Sequence, residues 1–141
     1  MKNLFFVFVL FVVITSSCAS QKVLNQYAGT QIVFGNGGGF TGQVNEYTLS
    51  TDGTITLVKS LEGDTVVIST VSRKTAGKIF SLLSDSGLDT LDFKHPGNRY
   101  YFIKERENGI KNEVIWGNPD YTVPAQIENL YTLLITNINN N

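Results

Sequence analysis

Between residues 30 and 71 apolar and polar positions alternate in short runs separated by glycine or charged turns. A period of two sends successive side chains to opposite faces of a sheet, so these runs predict four strands, at 30–35, 43–50, 54–59 and 65–71. Asp52-Gly53 between the second and third is a two-residue hairpin signal, because glycine tolerates the positive φ of such turns. A looser turn at Glu62-Gly63-Asp64 leads into the fourth. No proline falls in this region, so none of the strands is barred from the sheet interior.

The period then changes. Ser72 is a candidate N-cap, and Ala76, Ile79, Phe80 and Leu83 share one face of a helix that Gly87 would stop. Residues 88–93 are ambiguous linking sequence, and His95-Pro96-Gly97 reads as a turn. Next comes the clearest signal in the chain, NRYYFIKERE-NG-IKNEVIWGN, with the favoured type I′ turn at Asn108-Gly109. Counting outward pairs Glu105 with Asn112, Lys104 with Glu113, Ile103 with Val114, Phe102 with Ile115 and Tyr101 with Trp116. The base of this hairpin is apolar on both faces, which predicts cover on both sides. Pro124 suits a helix start, and Ile127, Leu130, Tyr131, Leu134 and Ile138 follow at helical spacing. The expected order is ββββ-α-ββ-α. That is an α+β fold, a mostly antiparallel sheet of about six strands with two helices packed on it.

The N-terminus has a different pattern. Lys2 precedes an unbroken apolar run over residues 4–14, followed by small polar residues, the layout of an export signal. Spanning a bilayer takes roughly 20 apolar residues, more than this run holds. The segment Thr15-Ser16-Ser17-Cys18 resembles a bacterial lipobox, with Ser17 at the small position and Thr15 where leucine is usual. That resemblance implies cleavage before Cys18 and lipidation of Cys18, and Ala19 after it implies sorting to the outer membrane. Cleavage after Ala19 is the alternative, giving a periplasmic or secreted protein. The expected organisation is a signal peptide at 1–17, a lipidated cysteine and tether at 18–29, one domain at 30–138 and a frayed tail at 139–141.

Cys18 is the only cysteine, so the exported chain forms no internal disulfide and needs an ordinary core. Removing Lys2 leaves 10 basic against 12 acidic residues, with no basic cluster, which argues against nucleic acid as a partner.

Gly37 to Val44 spells G-x-G-x-x-G-x-V, the pattern of a kinase phosphate loop. The rest of a kinase is missing: His95 is followed by Pro-Gly rather than Arg-Asp, and Asp92-Phe93-Lys94 carries lysine where D-F-G needs glycine. Gly42 is followed by Gln43, not by the Lys-Ser/Thr of a P-loop, and the strand-like sequence beyond it rules out a dinucleotide fingerprint. The expectation is a structural connection with Phe34 and Phe40 packing at its ends, and beside it a weak anion nest in which glycine amides converge.

The lone His95 builds no triad or metal cluster and is expected to decorate a turn; DSGLDTLD and GNPD lack EF-hand spacing. No catalytic residue, metal ligand or cofactor is assigned. Tyr100, Tyr101 and Trp116 form a candidate binding surface, although aromatics at strand spacing are more often core. Asp89, Asp92 and Glu113 are the carboxylates that an acid–base enzyme would use.

Three segments together, FGNGGGFTG, PGNRYYF and WGNPD, resemble a group of small, uncharacterised lipoproteins of Gram-negative bacteria. The resemblance implies an exported, lipid-anchored α+β domain and no particular activity. The expected function is therefore binding or structural work at the cell envelope, with the membrane and an unknown protein or small molecule as partners. The alternative is a small extracytoplasmic enzyme using the three carboxylates.

Overall fold

A computed structural model describes residues 21–59 and 64–139. The expected signal peptide, Cys18, most of the Glu62-Gly63-Asp64 turn and the last two residues lie outside the described residues.

The fold is α+β. Helix α1 covers residues 21–26. Strands β1 (Gln31–Gly38), β2 (Val44–Ser50), β3 (Thr54–Lys59) and β4 (Thr65–Thr70) follow, then α2 (Arg73–Asp85), β5 (Phe93–Lys94), β6 (Arg99–Arg106), β7 (Ile110–Trp116) and α3 (Ala125–Asn139). The strands form one sheet in the order β4-β3-β2-β1-β6-β7-β5. Every pairing is antiparallel except β5 with β7.

Local chemistry accounts for most of these elements. Gly53 has φ 92° in the β2–β3 turn, where Asp52 Oδ1 accepts a hydrogen bond from the Thr54 amide at 2.9 Å. Ser72 caps α2, its hydroxyl accepting from the Thr75 amide at 3.1 Å. At the other end of α2 the chain turns through Gly87, φ 72°. The β6–β7 ladder has the register counted from the turn, from Tyr101–Trp116 to Glu105–Asn112. Only its tip differs: Arg106 pairs with Ile110, a bulge that leaves Lys111 as the extra residue.

One face of the sheet carries the core. Ile32, Phe34, Leu49, Ile55, Ile103, Val114 and Trp116 meet Ala76, Ile79, Phe80 and Leu83 of α2 and Ile127, Leu130 and Leu134 of α3. These positions alternate along the strands and recur at 3.6 spacing along the helices, as burial on one side requires.

Four features depart from expectation. First, residues 21–29 are not a free tether: α1 buries Leu24, and the Tyr27 ring lies 5.3 Å from Phe80. Second, Phe93–Lys94 adds a seventh strand beside β7, two residues long and therefore invisible to periodicity. Third, β1 runs on to Gly38 and pairs Gly35, Asn36 and Gly37 with Phe102, Tyr101 and Tyr100. Glycine suits this stretch because the opposing rings occupy the space of its missing side chains: a Cβ on Gly37 would stand 2.6 Å from the Tyr100 hydroxyl oxygen. Fourth, among the described residues helices cover the hairpin base on one face only. On the other, Phe102 and Val33 are buried outside the main core cluster, with the Lys104 ammonium 4.7 Å over the Phe102 ring.

Candidate binding site at the glycine-loop end

Beyond the Tyr131 ring of α3 the sheet ends in a polar row. Asn45, Asn36 and Tyr101 stand side by side on β2, β1 and β6, in the pairs Asn36–Asn45 and Asn36–Tyr101. The Asn45 side-chain amide donates to Asn36 Oδ1 at 3.2 Å. Behind this row, Trp116 is 9 % exposed and meets the Tyr131 ring edge-on at 5.0 Å. Tyr101 packs on both rings, at 5.8 Å from Trp116 and 5.6 Å from Tyr131, yet stays 38 % exposed. The Tyr131 hydroxyl donates to the Gly35 carbonyl at 3.2 Å, and burial pushes its pKa up to about 12. Of the three aromatics singled out in the sequence, Trp116 is therefore support, Tyr101 is exposed, and Tyr100 is half-buried on the opposite sheet face beside Phe102.

Those two tyrosines, with Asn36, Gly37, Gly38, Thr41, Gln43, Asn45 and Arg99, line a hollow of about 360 Å³. Arg99 is the only cation among the described residues that line it, and none of these is a carboxylate. Among the described residues Arg99 makes no ion pair. Sequence reasoning passed over Arg99, Asn36 and Asn45, because only the β1–β2 and β1–β6 pairings bring them together.

Three amides of the glycine loop are already engaged. The Gly39 amide donates to the Asn98 carbonyl at 2.7 Å, the Gly42 amide to the Gly39 carbonyl at 3.2 Å and the Gln43 amide to Thr41 Oγ1 at 3.4 Å. With these donors engaged by the loop and by Asn98, recognition falls chiefly to side chains. The expected packing at the loop ends holds for Phe34, which is fully buried, and fails for Phe40, which is fully exposed at the tip. No described apolar surface lies over residue 40, so its periodic neighbours said nothing about its cover.

The candidate acid–base carboxylates do meet. Asp89, Asp92 and Glu113 line a shallow hollow of about 250 Å³ with Lys94 and Lys111. Glu113 is held at 3.1 Å by both Lys94 and Lys104. Partial burial opposes its charge, but the hydrogen bonds and charges of the two lysines together outweigh that and hold its pKa below the ordinary value. A carboxylate so neutralised is ionised at neutral pH and unsuited to donate a proton. Asp89 and Asp92 are exposed.

Sequence reasoning missed Glu105, a buried carboxylate on the helix-facing side of β6. It accepts from Asn112 Nδ2 at 2.6 Å and pairs with Lys111 at 3.4 Å, raising the Lys111 pKa. Its pairing partner and its shared face with Ile103 were the available signal. His95 stacks on Tyr121 at 3.6 Å and meets Phe93 edge-on at 4.8 Å, an aromatic turn rather than a polar site. In the GNPD segment, Asn118 Oδ1 accepts from the Asp120 amide at 3.0 Å, so its polar groups shape a turn. Among the described residues, no group of three or more acidic, histidine or cysteine side chains is placed to hold a metal ion, and no helix is long and apolar enough to cross a membrane.

A scan of the chain against protein-family models and a search of curated proteins found no match.

Proposed function

We propose that this chain is a lipid-anchored domain of the bacterial cell envelope that works by binding, through the hollow at the glycine-loop end of its sheet. The observation that carries the binding reading is the hollow itself. It gathers amide, hydroxyl, guanidinium and tyrosine groups, few of them tied to one another, on a sheet end backed by Trp116 and Tyr131. Sites for small ligands are commonly concave and carry a few convergent polar groups. Anchoring rests on the N-terminal sequence: the apolar run, the small residues and Cys18.

Two measurements test the two halves. Fatty-acid labelling and fractionation should place the wild type in the outer membrane, and Cys18→Ser should lose the label and move to soluble fractions. Membrane attachment unchanged in that variant would refute lipid anchoring. Hydroxyl-radical footprinting should find Tyr101 protected in intact envelopes relative to the purified protein. Equal labelling in both would remove the binding site.

A second reading, an enzyme using Asp89, Asp92 and Glu113, draws on their meeting around one hollow. The double ion pair on Glu113 counts against it.

A further inference from the structure

We propose that the hollow at the glycine-loop end takes a carboxylate-bearing saccharide, such as a uronic acid unit. This rests on the binding reading above and adds the ligand class.

Two properties of the lining select that chemistry. The first is charge. A site with one guanidinium and no acid favours an anionic ligand, and Arg99 has no competing ion pair among the described residues. A planar guanidinium suits a carboxylate especially, since two parallel N–H donors match its two oxygens. The second is the neutral part of the lining. Asn36, Asn45 and Gln43 each present an amide with both donor and acceptor capacity, which suits a ligand rich in hydroxyls. Asn36 is itself engaged, accepting from Asn45 and hydrogen-bonding the Tyr131 hydroxyl, so the capacity left for a ligand lies mainly on Asn45 and Gln43. The partly exposed ring of Tyr101, held from behind by Trp116 and Tyr131, offers an apolar face beside these groups.

A bare anion such as phosphate fits less well. Three of the loop amides that would cradle it are engaged, Gly39 by Asn98 and Gly42 and Gln43 within the loop. A nucleotide would need the same amides. A volume of about 360 Å³ has room for one or two sugar rings and excludes a large ligand from full enclosure.

The test is a titration of the full chain in detergent micelles, followed by amide NMR shifts. Four probes are compared: a glucuronic-acid disaccharide, its methyl ester, a glucose disaccharide and acetate. The acidic disaccharide should shift Asn36, Gly38, Thr41 and Arg99 saturably. The ester and the neutral sugar should bind about tenfold or more weakly, because a charge-assisted pair is lost. Acetate should bind far more weakly than the acidic sugar. Arg99→Gln should abolish the preference for acid over ester, whereas Tyr101→Ala should weaken both sugars alike.

Equal binding of acid and ester, acetate binding as tight as the sugar, or shifts confined elsewhere would each overturn the ligand class. If no saccharide moves the loop resonances while Tyr101 is still protected in envelopes, the class is wrong and the binding site stands. If neither occurs, both fall.

Discussion

Trp116 and Tyr101 face each other across one rung of the β6–β7 ladder but differ in what covers them. Trp116 is buried under Tyr131, so Trp116→Ala should destabilise the domain by about 3–5 kcal/mol, read from the denaturant midpoint. Tyr101 is 38 % exposed, and Tyr101→Ala should cost clearly less. Tyr131 adds a pH dependence. Its ordinary pKa of 10.0 is raised to about 12 in the fold, first by burial, so the folded chain holds the phenolic proton more tightly than the unfolded chain does. The stability linked to that proton is fully present below about pH 10 and is lost as pH climbs towards about 12. Urea midpoints measured across that window should fall with pH, and Tyr131→Phe should flatten the slope. Glu113 behaves in the opposite sense. Its pKa is held low by Lys104 and Lys94, so its contribution is present above the ordinary carboxylate pKa and is lost on acidification.

At the scale of elements, β1 and the loop after it use glycine for different reasons. Gly35 sits mid-strand where a Cβ would run into the Asn45 carbonyl and the Phe102 ring. Gly42 has open space around it but φ 63°, the left-handed region. Gly35→Ala and Gly35→Asn should therefore both be damaging, by about 1–3 kcal/mol or more from overpacking. Gly42→Ala should cost about 1–2 kcal/mol from backbone conformation alone, and Gly42→Asn less, because asparagine tolerates that region. Thermal melts of the four variants check the pattern; equal costs for Ala and Asn at Gly42 would contradict it. Docking of α1 is a second test at this scale. Leu24→Ala removes a buried contact to the core and should lower stability by about 2–4 kcal/mol, whereas a free tether would leave it unchanged.

For the whole molecule, the division between sequence and tertiary structure follows the range of the interactions. The sequence alone determined the helix faces, the Ser72 cap, the Asp52-Gly53 and Asn108-Gly109 turns and the β6–β7 register. Each depends on residues a few positions apart, where periodicity and turn chemistry act directly. The proposed export of the chain likewise rests on an apolar run rather than on a fold. Tertiary structure decided what lies against each apolar face. It brought Phe93–Lys94 to β7, packed Tyr27 on Phe80, and put rings over Gly35 and Gly37. It also left Phe40 in solvent and gathered Asn36, Asn45 and Arg99 from three strands around one hollow. A hydrophobic pattern states that a face is to be buried; it does not name the partner, because the partner comes from a distant part of the chain and is chosen by packing against every other element at once.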